Sequence, residues 1–394
     1  MTKSYSIIGI DGGATKISGI DVISINDKFS PGNWKYEQIY SAHPDYIPQF
    51  KPVNLKTQLL ELKSQQLLIS ESEQIQGNVY VETTAQIINM IYQQLDPIPV
   101  LVGICMPGIK TIDGRGIAVM ANGPRIPDYI DQLTHLLKRE GINLISSIEQ
   151  LGGDAFYCGI GEEYGIDGKF SGVENAYFIG GGTGVADAIK LHGKVYSFDS
   201  IKDWIAKTWE MKTDDNIGLE DYLSASGIAQ LYNQINNDNA HSGNVMDRAL
   251  TSDSSAKQIF EISGTWLGRL IYERMTTLYI GISKLKYFSY PQNINFLVDH
   301  KYVGDLLDRV IIGQRLGQLL SKNDRDNPFW HSFIFELDRL LSSSKILDDK
   351  VKMHYLDNLY KDLIQISFLR FAPAIGAGIS AQLHYESRIA SDGK

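Results

Sequence analysis

One pattern occurs twice in this chain and limits the folds it can adopt: an apolar segment, a glycine-rich turn and a second apolar segment. The two copies lie about 170 residues apart, at residues 7–10, 11–16 and 17–22 and at residues 176–179, 180–184 and 185–191. Each copy is typical of a β-hairpin closed by a glycine-rich turn. Because helical patterns follow both copies, the repeat predicts two α/β domains with a cleft between them.

The length and composition agree with this prediction and argue against several other classes of protein. A length of 394 residues suits two domains. The net charge of -9 argues against a nucleic-acid-binding surface, which needs clustered Lys and Arg. The two cysteines, Cys105 and Cys158, can build neither a disulfide framework nor a cysteine-rich zinc site, so we expect a reducing cytoplasm. No signal peptide and no membrane-spanning apolar stretch are expected either.

The spacing of apolar residues predicts the remaining elements. An insertion is predicted over residues 33–79, with one helix near 55–68. Strands are predicted at 98–105 and 144–147, and helices at 80–95, 154–164, 256–282, 303–320 and 329–341. We expect a first domain of residues 1–147 joined by a C-terminal helix at 376–394, and a second domain of residues 148–375.

The turn at residues 11–16 has the chemistry of a phosphate-binding loop. Gly12 and Gly13 can adopt positive φ and let the backbone approach a polyphosphate with no Cβ in the way. Backbone N–H groups and the Thr15 hydroxyl can then hold phosphate oxygens. Asp11 could bind Mg²⁺ through water, and Lys16 adds a positive charge.

The second turn offers the same groups in Gly182, Thr183 and Gly184. An ordinary hairpin turn explains either motif taken alone. Two such turns, one in each half of the chain, favour nucleotide binding.

Four stretches in the same order resemble the ROK family of repressors and sugar kinases, within the sugar kinase/actin/Hsp70 fold. They are Gly9-Ile10-Asp11-Gly12-Gly13-Ala14-Thr15-Lys16, Gly103-Ile104-Cys105-Met106-Pro107-Gly108, Asp154-Ala155 with Glu162, and Gly182-Thr183-Gly184 followed by Gly193-Lys194. The turn Asn122-Gly123-Pro124 also fits, and the resemblance covers residues 5–230. It implies two ribonuclease-H-like α/β domains of the actin/hexokinase fold, ATP with Mg²⁺ in the interdomain cleft, and a sugar or amino-sugar hydroxyl as phosphoryl acceptor. A homodimer is implied as well, while DNA binding is not expected, because a ROK repressor carries a helix-turn-helix before the first of these motifs.

The resemblance assigns roles to individual residues. Asp154 falls on the catalytic aspartate, which takes the proton of the acceptor hydroxyl. Contacts to the nucleotide are implied for Asp11, Gly12, Gly13, Thr15, Lys16, Gly182, Thr183, Gly184 and Gly376, with Asp11 holding Mg²⁺ through water. Contacts to the sugar are implied for Asn122, Gly153, Asp154 and Glu220. Two alternatives stay open: Asp154 could only cap the helix that follows it, and Glu220 could be a solvated residue in the first turn of its helix.

Several departures from the family pattern bear on these roles. Gly153 replaces an Asn, and residues 204–220 contain no Cys or His where zinc-binding members carry a His and three Cys, so no zinc is expected. Thr208 stands near the family's His. Residues 299–302 are bulky where a Gly-Gly loop is expected to approach adenine after a strand at 295–298, and Gly313 is the nearest replacement. Asp187 replaces a Gly and places negative charge near the phosphates. These departures favour the alternative function, a non-catalytic sugar-binding or regulatory protein with degraded ATP binding.

Overall fold

The computed structural model describes residues 5–281, 285–291, 300–322 and 326–392. The chain forms two compact units, of which the first runs to Ile166 and resumes at Phe371, while the second spans Asp167–Arg370. The boundary expected from the sequence lay at residue 147. Residues 148–166 group with the first unit because they supply a strand of its sheet and a helix that packs against its last helix.

The first unit is built on a five-stranded sheet. Its strands, with those of a separate two-stranded ribbon, are β1 (Ser6–Gly12), β2 (Lys16–Ile25), β3 (Lys28–Ile39), β4 (Val100–Cys105), β5 (Ile109–Lys110), β6 (Ile117–Val119) and β7 (Leu151–Gly152). Its first helices are α1 (Leu55–Ser64), α2 (Glu71–Tyr92), α3 (Tyr129–Arg139) and α4 (Asp154–Tyr164). The strand order is β3-β2-β1-β4-β7, with β1 antiparallel to β2 and parallel to β4. All six residues of β4 are buried, as expected for a strand covered on both faces.

The second unit repeats this arrangement. Its strands are β8 (Ala176–Gly181), β9 (Val185–Leu191), β10 (Lys194–Tyr196), β11 (Lys212–Thr213), β12 (Phe288–Ser289), β13 (Arg309–Gly313) and β14 (Ile364–Ile366). Its helices are α5 (Leu219–Leu223), α6 (Ala225–Asn236), α7 (Ser242–Ala249), α8 (Ser254–Ile280), α9 (Gln314–Leu320), α10 (Pro328–Ser342) and α11 (Asp349–Asn358). The sheet order β10-β9-β8-β13-β14 matches the first unit strand for strand, again with three consecutive antiparallel strands beside parallel strands. The prediction that the hairpin repeat marks two α/β units is confirmed.

Helix α12 (Ala372–Asp392) returns to the first unit and packs against β1, β4 and α4. Small residues make this close approach possible. A Cβ at Gly376 would lie 2.0 Å from the carbonyl oxygen of Tyr157 in α4, and one at Gly103 would lie 1.9 Å from the carbonyl oxygen of Ala377. Gly376 is therefore a packing residue between two helices, and this packing alone accounts for a glycine at the position.

We expect Gly376→Ala to lower the free energy of unfolding by about 1–3 kcal/mol, because the added methyl group has to displace the backbone of α4. In a helix with open space the same change would stabilise the protein by up to about 1 kcal/mol, so the sign of the effect tests the packing. Thermal unfolding of the variant measures it, with Ser391→Ala on the exposed end of α12 as the control. A variant as stable as the wild type would contradict the close helix contact.

Three predicted elements differ from the structure. Residues 33–39 complete β3 and do not belong to an insertion; β3 is an edge strand with one exposed face, so it lacks an apolar pattern. The strand predicted at 144–147 forms only a bridge from Leu144 to Val100, and the fifth strand lies at Leu151–Gly152. The range 303–320, which was predicted to be one helix, includes the strand β13. The residues Val310, Ile311 and Ile312 of this strand are buried in the sheet. A short apolar run is compatible with either element, which explains this error.

Among the helices in the described parts of the chain, none has both the length and the apolar composition needed to cross a bilayer.

Candidate functional site

Three strands of the first unit end side by side at one edge of its sheet. In the pairing register Asp11 of β1 lies opposite Cys105 of β4, and Cys105 lies opposite Gly152 of β7. Helix α4 begins two residues later, at Asp154. Because these strands are parallel, their carboxyl ends meet, as at the ligand-binding edges of α/β sheets. The arrangement brings the carboxylates of Asp11 and Asp154 to the same edge.

The electrostatics of Asp11 reflect this position. Desolvation is the main cause that raises the pKa of Asp11 to about 6, and the nearby charge of Asp154 adds to it. The Cys105 thiol donates a hydrogen bond to Asp11 Oδ1 at 3.3 Å, which opposes the shift. Burial raises the pKa of the Cys105 thiol, so it stays protonated as the donor. A cation at this edge would offset the repulsion between the two carboxylates, so the edge suits Mg²⁺.

Asp154 is the first residue of α4, and the N-cap position belongs to Gly153. The Asp154 carboxylate accepts a hydrogen bond from the N–H of Ala155 at 2.9 Å. A carboxylate in the first turn is favoured by the helix dipole. A Cβ at Gly153 would have no neighbouring atom within 4 Å, so there is open space beside Asp154. Asp154 is therefore not the N-cap residue of α4, although its carboxylate does bond to an N–H of the first helical turn.

Two tyrosines hold the first glycine-rich turn in place. The N–H of Tyr40 donates to the carbonyl oxygen of Thr15 at 3.0 Å, and the Tyr80 hydroxyl donates to the carbonyl oxygen of Ala14 at 2.5 Å. Their rings stack with centroids 3.7 Å apart. Sequence reasoning missed both residues, since each lies in a region without a recognisable motif. The Thr15 hydroxyl is on an exposed residue, where it can meet a ligand.

Different physical constraints act on the two glycines of the first turn. None of the glycines in either turn has a positive φ, so the expectation of left-handed backbone is wrong. A Cβ at Gly12 would lie 1.9 Å from the Met106 sulfur, so Gly12 is required by packing. At Gly13 the nearest atom to a Cβ would be the Lys16 carbonyl oxygen, at 3.3 Å. Neither backbone conformation nor severe crowding requires a glycine at position 13.

Lys16 is paired with an acidic residue. Its Nζ lies 2.5 Å from Glu37 Oε2, and both side chains are about half exposed, at 50% and 54%. An exposed pair of this kind is weak, about 0–1 kcal/mol. A phosphate group can therefore compete with Glu37 for Lys16.

Among the predicted sugar contacts, Asn122 is exposed in the loop between β6 and α3 of the first unit. Glu220 belongs to the second unit, in the first turn of α5. Its Oε2 accepts a hydrogen bond from the N–H of Val185 at 2.9 Å, and desolvation raises the pKa of its carboxyl. Glu220 is thus half-buried and bonded to the second glycine-rich turn, so the alternative of a solvated residue is wrong.

The second turn combines packed and open glycines. The N–H of Gly182 donates to the carbonyl oxygen of Gly184 at 2.9 Å. A Cβ at Gly181 would lie 2.3 Å from the carbonyl oxygen of Leu223. A Cβ at Gly182 would have only Gln314 Oε1 within 4 Å, at 3.9 Å. Gly182 is the open position of this turn, as Gly13 is of the first.

We expect Gly182→Ala to fold with wild-type stability and to weaken ATP binding by about tenfold or more, because a methyl group would occupy the position at which this turn is predicted to contact phosphates. The matched variant Gly181→Ala should instead lose stability by about 1–3 kcal/mol through overpacking. Thermal unfolding and calorimetric titration with ATP and Mg²⁺ separate the two effects. Unchanged ATP affinity in Gly182→Ala would show that this turn binds no phosphate.

Asp187 belongs to a buried hydrogen-bonded network that includes an arginine. It is buried and accepts hydrogen bonds from the N–H of Thr208 at 2.9 Å and from its hydroxyl at 2.5 Å. Arg274 Nη2 lies 3.3 Å away and supplies the positive charge. Arg274 also donates to the buried Glu273 at 2.8 Å, so it offsets part of the negative charge at Asp187, and no sequence motif marks it. Thr208, near the position of the family's His, belongs to the same buried network.

The bulky residues predicted to hinder the approach of the backbone to adenine lie at 299–302, of which the structure describes 300–302. Residues 292–299, which include the predicted strand at 295–298, lie outside the described residues. The strand that pairs with β8 in parallel is β13, in which Gly313 lies opposite Gly180 and is followed by Gln314 with a positive φ of 54°. His300 stacks on Trp204 with ring centroids 3.8 Å apart, inside the second unit. His300 and Tyr302 are thus buried, Lys301 is exposed, and a glycine is the last residue of β13.

One further group of side chains has the composition of a metal site. Within the described residues, His43, Asp45 and Glu82 have possible ligand atoms within 4.8 Å of one another. The N–H of Asp45 donates to His43 Nδ1 at 3.3 Å, so the ring proton is on Nε2 and faces Glu82 at 3.1 Å. A metal at Nε2 would require the other tautomer, so this group acts as a hydrogen-bonded pair that attaches residue 43 to α2.

Comparisons with known proteins identify the fold. No protein-family model matches the sequence, and no curated protein is significantly similar to it. Among solved structures, a ROK glucokinase from Streptomyces griseus, in complex with glucose and AMPPNP, has a TM-score of 0.58 at 14% identity, with 96% of this chain and 99% of that chain covered. A ROK hexokinase from Thermus thermophilus has a TM-score of 0.53 at 12% identity, covering 97% and 99%. A ROK transcriptional regulator, a homologue of the E. coli MLC protein, has a TM-score of 0.52 at 12% identity, covering 96% and 78%.

The two matching sheets and these similarities place the chain in the class of actin/hexokinase-like α/β folds. Within that class it has the fold of the ROK sugar kinases, which confirms at the level of the fold the resemblance seen in the motifs.

Proposed function

We propose that this protein transfers the γ-phosphoryl group of ATP to a hydroxyl of a sugar or amino sugar, with Asp154 as the general base. The observation that carries the proposal is the meeting of Asp11 and Asp154 at the carboxyl edge of the first sheet, next to a glycine-rich turn with one open position. The ROK glucokinase and hexokinase with the same fold support the substrate class.

The chemistry asks for positioning and charge rather than covalent catalysis. In phosphoryl transfer the acceptor hydroxyl loses its proton as it attacks, and a carboxylate within hydrogen-bond reach accepts that proton. Asp154 is fixed by its place at the start of α4 and by its bond to the N–H of Ala155. The open space at Gly153 leaves room for the acceptor beside this carboxylate.

We propose that each glycine-rich turn, within its own unit, binds phosphate groups of a nucleotide. The backbone at Gly12 and Gly13, the Thr15 hydroxyl and Lys16 would contact phosphate oxygens, and so would Gly182, Thr183 and Gly184. Mg²⁺ neutralises charge on the phosphates when it is bound. Asp11 would hold the ion through its water ligands, since Mg²⁺ keeps several waters and takes few carboxylates.

A second candidate function is sugar binding without catalysis, in a regulatory protein. The similarity in fold to a ROK transcriptional regulator favours it. So does the Glu37 carboxylate on Lys16, which competes with phosphate for the only cationic side chain of the first turn.

Ligand-dependent thermal unfolding separates these two functions. A ligand at 100 times its Kd should add about 2.7 kcal/mol to the free energy of unfolding. A kinase should be stabilised by ATP with Mg²⁺ and also by its sugar. Stabilisation by a sugar alone, with no effect of the nucleotide up to millimolar concentration, would support the regulatory function and exclude the kinase.

A further inference from the structure

The segment between β3 and β4 forms hydrogen bonds with both ends of the loop that carries Asn122. The loop, residues 120–125, is the first part of the connection between β6 and α3. Its middle is exposed at Asn122, whereas the residues from Gly123 to Arg125 are buried. What fixes its two ends therefore determines where the Asn122 side chain lies.

Gln58 of α1 fixes the first end. Its Oε1 accepts a hydrogen bond from the N–H of Met120 at 2.8 Å, and its Nε2 donates to the carbonyl oxygen of Met120 at 3.1 Å. Gln58 is 1% exposed and is the only buried residue of α1, while Leu59 and Leu60 of the same helix are 43% and 60% exposed. Helix α1 is thus attached by a buried polar contact with the loop and not by burial of its leucines.

Arg125 fixes the second end. This fully buried guanidinium donates to both carboxylate oxygens of Glu73 at 2.8 Å and also pairs with Glu61 of α1. It also donates to the carbonyl oxygen of Leu68 at 2.9 Å. A planar guanidinium that donates to three acceptors at once fixes their relative positions, which the single ammonium group of a lysine cannot do.

The same region is connected to the first glycine-rich turn. The Tyr80 hydroxyl, which donates to Ala14 of that turn, would lie 3.1 Å from a Cβ at Gly123. The loop and the turn therefore pack against one residue of α2.

We propose that Gln58 and Arg125 are positioning residues that set the place of Asn122 and thereby the affinity for the acceptor sugar. The inference rests on the proposed function only in that Asn122 contacts a sugar. Because Gln58 joins α1 to the loop at Met120, a change in α1 that breaks this contact affects sugar binding without a direct contact to the sugar.

The test uses Gln58→Ala and Arg125→Lys in the full chain, with Leu60→Ala on the exposed face of α1 as the matched control. Hydrogen exchange of the loop amides and calorimetric titration with glucose, N-acetylglucosamine and ATP with Mg²⁺ are measured for each. We expect faster exchange at residues 120–125, a sugar affinity about tenfold or more weaker, and an ATP affinity within about twofold of wild type in both variants. Leu60→Ala should leave all three unchanged.

The outcomes distinguish this inference from the function it rests on. Sugar and ATP affinities that fall together, or a sugar affinity that stays the same while the loop exchanges faster, would overturn the positioning role. A wild-type protein that binds sugar but transfers no phosphoryl group would refute the kinase, while the variants still decide the inference. A wild type that binds neither of these sugars refutes the inference, because Asn122 then has no sugar to contact.

Discussion

Asp154→Asn is expected to lower kcat by about 10²–10⁴, the range for loss of a general base in proton transfer. The amide cannot take the proton of the acceptor hydroxyl, yet it can still accept the bond from the N–H of Ala155, so the fold should remain intact. The KM values for ATP and sugar should change little, because the loss falls on the transition state. A coupled assay of ADP formation with the phosphorylated product as readout measures all three constants.

The control for this variant is Asp131→Asn, an exposed acidic residue in the first turn of α3. It removes one carboxylate from a helix start in the same unit without touching the sheet edge. Turnover in Asp154→Asn within a few-fold of this control would rule out Asp154 as the base.

Asp11→Asn is expected to have opposite effects on stability and activity. Because desolvation raises the pKa of Asp11 from 3.8 to about 6, the charged carboxylate destabilises the folded protein above pH 6. Asn removes that charge, so the variant should be more stable than wild type at pH 7.5, by up to about 3 kcal/mol. Activity should fall at the same time, because the carboxylate that holds the hydrated Mg²⁺ is lost.

The stability difference between wild type and Asp11→Asn should depend on pH. Between pH 6 and pH 4 the folded wild type binds a proton that the unfolded chain does not, so its stability rises as the pH falls. The advantage of Asp11→Asn should therefore be largest above pH 6 and vanish near pH 4. Thermal unfolding of both proteins from pH 4 to pH 8 measures it. An advantage that is constant over this range would show that the Asp11 carboxyl is not desolvated.

The sequence predicts the two hairpins because their turns carry local signals. Both glycine-rich turns and the start of α4 at Asp154 are at the predicted positions. These elements are short in sequence and depend on glycine spacing and strand-length apolar runs, which are read within a few residues. The equivalence of the two sheets follows from the repeat.

The interactions that tie these elements together were not predictable in the same way. Tyr80 lies 66 residues from Ala14, and Arg125 lies 52 residues from Glu73, so no local pattern pairs them. The partner of Asp187 is Arg274, 87 residues away on a buried helix. The central strand β13 was missed because its three β-branched residues lie between leucines that also fit a helix. Packing between residues far apart in the sequence determines whether such an apolar run forms a strand or a helix.

The central claim is that this protein forms a phosphate ester on a sugar and that Asp154 is needed to form it. Phosphorus-31 NMR of the wild-type protein with ATP, Mg²⁺ and each of a panel of sugars and amino sugars tests it most directly. We predict a sugar-phosphate resonance that grows as the ATP signals decline with at least one sugar, and no such resonance over the same period with Asp154→Asn. ATP signals that persist with every sugar, or an ester formed equally fast by the variant, would contradict it.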